Sequence, residues 1–108
     1  MSQAAGDTFC LVMTTLPSEA QAEELARALV QARLAACVQV QTIRSFYVWK
    51  EESHADPEWL LLIKTRAARY AELEQYLLAH HPYETPEIVQ LPITAGSAAY
   101  LDWVSAQT

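Results

Sequence analysis

The chain has 108 residues and carries thirteen acidic side chains against seven basic ones, a formal net charge of −6. This length fits one domain, residues 1–108, and the 52% apolar share is typical of a packed globular protein. Because the basic residues are few and scattered, the composition argues against nucleic-acid binding, which needs a dense positive surface. No apolar run approaches the roughly 20 residues of a membrane span, and no signal-peptide pattern opens the chain. We therefore expect a cytoplasmic protein with no membrane partner and a loose tail at residues 1–7.

The first predicted elements are a strand and a helix. The unbroken apolar run at residues 9–16 predicts a strand that is covered on both faces. Residues 17–36 repeat apolar side chains at helical spacing, and Ser18 with Gln21 three positions later matches a capping box. This pattern predicts an amphipathic helix that begins at Ser18.

A β-hairpin is predicted next. Residues 37–49 and 59–65 are rich in β-branched, aromatic and other apolar side chains, which is typical of strands. The polar stretch between them contains Asp56 followed by Pro57, a pair that favours a turn. We therefore expect two strands joined by a polar tip that turns at Asp56 and Pro57.

The second half of the chain predicts a helix, a strand and a terminal helix. Residues 66–81 have helical spacing and end at Pro82, which cannot continue a helix. Residues 86–93 predict a strand at the edge of a sheet, because its internal proline cannot donate to a ladder. Residues 97–105 predict a short helix with one apolar side.

The predicted order β-α-β-β-α-β-α is that of an α+β, ferredoxin-like split βαβ sandwich. In this arrangement both crossover helices lie on one face of the sheet. The first and third strands, however, are apolar on both sides, and one short terminal helix is too small to cover the second face. We therefore expect a homo-oligomer, in which another copy of the chain covers that face.

The segment HHPYETPE, residues 80–87, is the strongest candidate for a site. His80 is expected to end a helix, where its ring can bond the last carbonyls, whereas Pro82 makes His81 extended. The two rings are therefore expected to separate. Imidazole and carboxylate groups suit a divalent ion such as Cu²⁺ or Zn²⁺, but a complete metal site needs further ligands.

Other readings of the same segment stay open. Tyr83, Glu84 and Glu87 follow within a stretch held by two prolines, so their side chains are good candidates to bind a ligand. His81 with Glu87 is an alternative acid/base pair, in which case the protein would be an enzyme. A third reading is a structural scaffold with no ligand. Lys64 closes the third strand and is available to an anionic ligand or to a nearby carboxylate.

Several motifs together resemble one family, the CutA divalent-cation tolerance proteins. The matching stretches, in order along nearly the whole chain, are TTLPSEAQAEELARALVQARLAACV, SFYVW, LIKT, HHPYETPEIVQLPI and YLDWV. The resemblance implies a homotrimer of ferredoxin-like subunits, similar in shape to the PII signalling proteins, with clefts between subunits. Tyr47, Trp49, Lys64 and the loop of residues 81–87 would line or border that cleft.

The resemblance also implies a function. Copper and other divalent cations are the family's associated ligands, metal tolerance is its described role, and no enzymatic activity is established for it. Some bacterial members bind copper with a histidine pair and a cysteine, and Thr14 stands at that cysteine's position here. His80 and His81 remain as the expected metal ligands. We therefore expect a trimeric, cytoplasmic, non-enzymatic protein that needs no cofactor and binds a divalent cation or a small anionic ligand.

Overall fold

The computed structural model describes residues 6–108, and within them the chain forms a four-stranded antiparallel sheet with three α-helices. The elements are β1 (Phe9–Leu16), α1 (Glu19–Gln31), β2 (Cys37–Trp49), β3 (Glu52–Arg66), a 3-10 turn (Ala67–Arg69), α2 (Tyr70–His80), β4 (Val89–Ile93) and α3 (Ala98–Gln107). The strand order is β2-β3-β1-β4. This is the predicted ferredoxin-like arrangement.

The main core lies between one face of the sheet and helices α1 and α2. Alternate residues of β1 and β3 point to this face, and apolar residues one helical turn apart face them from both helices. The buried side chains that the strands and the two helices contribute to this core include Cys10, Val12, Leu16, Ala22, Leu29, Leu61, Ile63, Leu73 and Leu77. Burying each of the larger side chains contributes roughly 1.5–3 kcal/mol, so this face determines how the helices dock.

The first helix begins as predicted and ends earlier. Ser18 is its N-cap, and the side-chain oxygen of Ser18 accepts a hydrogen bond from the backbone N–H of Gln21 at 3.2 Å. The helix stops at Gln31 rather than continuing to residue 36. The reason is a Schellman-type end in which Arg33 has a φ of 59° and the N–H of Leu34 bonds the carbonyl of Leu29. Glycine usually takes the left-handed position, so an arginine there gave no signal in the sequence.

The predicted hairpin is confirmed, but the predicted position of its turn is wrong. Strand β3 begins at Glu52, and the chain reverses at Lys50 and Glu51, which both have positive φ (51° and 68°). Asp56 and Pro57 lie inside β3. The proline is tolerated because β1 pairs with β3 only from Trp59 onward, so Pro57 has a partner strand on one side only. The hairpin thus projects beyond the rest of the sheet, and the molecule measures 51 × 25 × 22 Å.

The second face of the sheet is covered at one end only within the described residues. Helix α3 packs Leu101 and Val104 against Phe9 and Ala36 there. Farther along the same face, a row of side chains on β1, β3 and β4 is only half-buried or exposed: Leu11, Met13, Leu60, Leu62, Val89 and Leu91. One short helix therefore leaves an apolar surface, as the sequence predicted.

The remaining elements differ from prediction mainly at their ends. Strand β4 starts at Val89 rather than residue 86, and it is an edge strand that pairs with β1 alone. Most of the predicted tail lies outside the described residues, but Asp7 is fixed, since its carboxylate accepts a hydrogen bond from Ser105 at 2.7 Å. None of the helices between residues 6 and 108 has the length and apolar character needed to cross a membrane.

Candidate functional site

A cleft of about 760 Å³ separates the β2–β3 hairpin from the segment that follows α2. This volume is within the range of small-molecule sites, roughly 300–1,000 Å³. Five residues predicted to be functional line it: Tyr47, Trp49, Tyr83, Glu84 and Glu87. The projecting hairpin forms one wall, and the proline-rich segment of residues 82–87 forms the other.

His81 attaches this second wall to the sheet. Its Nε2 bonds the backbone carbonyl of Thr15 at 2.8 Å, and its Nδ1 accepts from the backbone N–H of Tyr83 at 3.1 Å. Since a carbonyl only accepts and an amide N–H only donates, these partners select the neutral ring with its proton on Nε2. Burial lowers the pKa of His81, although the Thr15 carbonyl and the charge of Glu58 oppose this effect. Both ring nitrogens are therefore hydrogen-bonded to backbone groups.

His80 faces a different part of the surface. It is the last residue of α2, its Nδ1 bonds the carbonyl of Tyr76 at 2.9 Å, and the two rings stack with centroids 4.0 Å apart. This is the predicted capping contact. His80 borders a groove between α1 and α2, beside Gln21 and Glu24, rather than the cleft. The two histidines thus separate at Pro82, as the sequence predicted.

Glu58 is a cleft residue that the sequence interpretation missed. Only 8% of it is exposed, and its Oε2 accepts a hydrogen bond from the Tyr83 hydroxyl at 2.7 Å. Burial and the carboxylate together raise the pKa of Tyr83. Within residues 6–108, no ion pair joins Glu58 to a basic side chain. The signal was hidden because Asp56 and Pro57 suggested a turn, whereas in a strand Glu58 alternates with Trp59 and faces the cleft.

The outer rim of the cleft contains a second tyrosine–carboxylate pair and an ammonium group. The Tyr47 hydroxyl donates to Asp56 Oδ2 at 2.6 Å, and this bond raises the pKa of Tyr47. Lys50 Nζ lies 5.6 Å from the centroid of the Trp49 ring and 3.9 Å from Glu84 Oε1. These contacts show that the rim already accommodates a positive charge beside an aromatic ring.

Lys64 lies elsewhere in the single chain. It is six residues beyond Glu58 along β3, about 20 Å in an extended strand, and it does not line the cleft. Its Nζ donates to Gln39 Oε1 at 2.9 Å and lies 5.7 Å from the ring centroid of Tyr100. A contact between Lys64 and the cleft of another copy stays a prediction.

The geometry for a metal ion is incomplete in one chain. Across the described range, no group of three or more His, Cys, Asp or Glu side chains is close enough together to hold an ion. Thr14 is fully buried. Cys10 is also fully buried, and desolvation raises the pKa of its thiol to about 11. Cys10 therefore does not replace the cysteine that Thr14 displaces.

The structure is that of a ferredoxin-like protein with a surface cleft, and comparison with known proteins identifies its family. The family model for the CutA1 divalent ion tolerance protein matches residues 10–107. The chain is 46% identical over 99 residues to the divalent-cation tolerance protein CutA of Thermus thermophilus, covering 91% of this chain and 96% of that protein. It is 45% identical over 91 residues to a CutA homolog of Xenopus laevis, covering 83% of this chain but 60% of that longer protein.

Solved structures agree with this relationship. The crystal structure of CutA1 from Oryza sativa superposes with a TM-score of 0.92 at 33% identity, covering 100% of this chain and 97% of that one. The chain belongs to the CutA1 divalent ion tolerance family. The family carries the name of a tolerance protein rather than of an enzyme.

Proposed function

We propose that this protein is a non-catalytic homotrimer of the cytoplasm that binds divalent cations in a metal-tolerance response, with copper the first ion to test and zinc the second. Family membership supports the link to divalent cations. The cleft is concave, of suitable size for a small molecule and lined by carboxylates and aromatic rings, which supports a ligand-binding role for the protein. The candidate ligands of the ion itself are His80 and His81. A signalling-type action, in which a ligand changes loop or partner contacts, is part of the same proposal.

The observation that carries the oligomeric part is the uncovered apolar face of the sheet. Leu11, Met13, Leu60 and Leu62 occupy the centre of this face and remain half-buried in one chain. An apolar surface of this kind is usually buried against a partner. Another copy of the chain would cover it, and the projecting hairpin offers further apolar contacts through Phe46 and Val48, which are strongly exposed.

The histidine pair fits copper only in part. Nε2 of His80 makes no hydrogen bond within the described part of the chain and can ligate a metal ion. His81 would first have to release Thr15 or Tyr83. Since a stable copper site needs three or four ligands, the missing ones would come from a second copy, and metal binding would then depend on assembly.

The direct experiment is a calorimetric titration of Cu²⁺ into tag-free protein. The comparison is with the double variant His80→Ala, His81→Ala, and the matched control is His54→Ala, which removes the third histidine of the chain. Saturable binding that is lost in the double variant and kept in His54→Ala supports the proposal. Weak binding that is equal in all three proteins refutes the copper role.

The enzyme alternative is less well supported by the geometry. Glu87 lines the cleft, but His81 does not, and both of its ring nitrogens are engaged with backbone groups. A general base must reach the proton that it removes.

The scaffold alternative makes a different prediction, namely that no ligand titration responds to any substitution in the cleft.

A further inference from the structure

We propose that the cleft binds a small organic ammonium ion, a protonated primary amine on an apolar body, with the buried carboxylate of Glu58 as its counter-ion. This ligand class differs from the divalent cation of the proposed function, and it occupies a different place, since His80 borders the groove on the other side of Pro82. Charge, burial and aromatic lining each support it.

The charged residues that line the cleft are all acidic. Glu58, Glu84 and Glu87 line it, whereas none of its lining residues is Lys, Arg or His. Glu84 has a cationic partner in Lys50, but that pair is largely exposed and therefore weak. A lining of this charge favours cations over anions.

Glu58 provides the specific contact. The charge of a residue that is only 8% exposed is costly unless it is paired. The Tyr83 hydroxyl satisfies Oε2, and no second side-chain hydrogen bond reaches this carboxylate from the described residues. Oε1 is therefore available to an N–H donor that brings a positive charge, which is what a primary ammonium group supplies.

The aromatic walls suit the rest of such a ligand. Tyr47, Trp49 and Tyr83 line the cleft together with Glu58. Aromatic faces attract ammonium groups and also pack against apolar bodies. The protein already shows this recognition at the rim, where the Lys50 ammonium lies over Trp49 and beside Glu84.

Competing ligands fit less well. A metal ion needs several ligands at once, and the described residues bring no three suitable side chains together. An anion would need a free basic partner. Lys50 at the rim lies 3.9 Å from the Glu84 carboxylate, and Lys64 is about 20 Å along the strand from Glu58. An ammonium ion needs only one carboxylate and the aromatic surface that surrounds it.

The test uses full-length, EDTA-treated protein and calorimetric or NMR titration. The probe is phenethylammonium, and 3-phenylpropionate is the charge-reversed probe with a similar body. Glu58→Gln removes the counter-ion but keeps an acceptor for Tyr83. Glu23→Gln is the matched control, because it makes the same change in net charge at an exposed site on α1.

We expect saturable binding of phenethylammonium, no binding of phenylpropionate, an affinity about tenfold or more lower in Glu58→Gln, and an unchanged affinity in Glu23→Gln. Equal binding of both probes, or equal weakening by both substitutions, overturns the proposal, as does no binding at all. The two probes compared on the unsubstituted protein keep the test decisive if Glu58→Gln fails to fold. Because the protein is treated with EDTA and no metal is added, the outcome of the copper titration does not affect this test of ammonium binding.

Discussion

Two tyrosine–carboxylate hydrogen bonds in the cleft are nearly equal in length but differ in burial. Removing them should therefore lower the free energy of unfolding by different amounts. Tyr83 donates to Glu58 at 2.7 Å, and Tyr47 donates to Asp56 at 2.6 Å. Of the two acceptors, Glu58 is only 8% exposed and Asp56 is half-buried; of the two donors, Tyr83 is half-buried and Tyr47 is 43% exposed. Removing each hydroxyl with a phenylalanine therefore tests how much burial adds to the same bond.

The magnitude follows from what replaces the lost bond. In Tyr83→Phe the buried carboxylate loses a charged hydrogen bond worth about 1.5–3 kcal/mol, and little water can take its place. In Tyr47→Phe water reaches Asp56 directly, so the net loss is about 0.5 kcal/mol, the lower end for an ordinary bond. The expected difference between the two variants is about 1–2.5 kcal/mol.

The assay is guanidinium chloride unfolding at one fixed chain concentration, because assembly contributes to the apparent stability of an oligomer. The free energy of unfolding should fall more in Tyr83→Phe than in Tyr47→Phe. Equal losses, or a larger loss in Tyr47→Phe, would refute the claim that Glu58 is a buried charge that depends on Tyr83.

Two further predictions concern the core. Leu77→Ala should lower the free energy of unfolding by about 2–5 kcal/mol, because Leu77 is fully buried. Leu78→Ala should lower it by less than about 1 kcal/mol, because Leu78 lies on the same helix but is 55% exposed. Chemical unfolding compares the two variants, and similar losses would contradict the packing of α2. Burial raises the pKa of Cys10 from 9.0 to about 11, so the stability that comes from its neutral thiol is fully present below pH 9 and is lost as the pH rises toward 11. Between pH 9 and pH 11 the free energy of unfolding should fall by about 2 kcal/mol more in the unsubstituted protein than in Cys10→Val. An identical pH dependence of that free energy in both proteins would show that Cys10 ionises freely.

The sequence predicted the fold well where hydrophobic periodicity controls the structure. Strands β1 and β2 have the predicted bounds, and Ser18 caps α1 as expected. The errors fall at turns where non-glycine residues adopt the left-handed backbone conformation. Arg33 ends α1, and Lys50 with Glu51 forms the hairpin turn, although all three have positive φ without being glycine. Neither position is visible from residue preferences.

The candidate site was predicted in composition but not in geometry. Tyr47, Trp49 and the segment of residues 82–87 do meet in one cleft. The hydrogen bonds of the histidine rings depend on contacts that are distant in sequence, such as that between His81 and the carbonyl of Thr15. The sequence pattern therefore does not show that both ring nitrogens of His81 are hydrogen-bonded to the backbone. Glu58 was missed because its role depends on the path of the hairpin, and the Asp56-Pro57 pair misled the interpretation there.

The proposed homotrimer requires that the subunits cover one another's apolar sheet face. The most direct test is the mass of the tag-free protein in solution, measured by native mass spectrometry or light scattering. We expect three times the mass of one chain over a wide range of concentrations. A stable species with the mass of a single chain would contradict it, because the surface of Leu11, Met13, Leu60 and Leu62 would then face water.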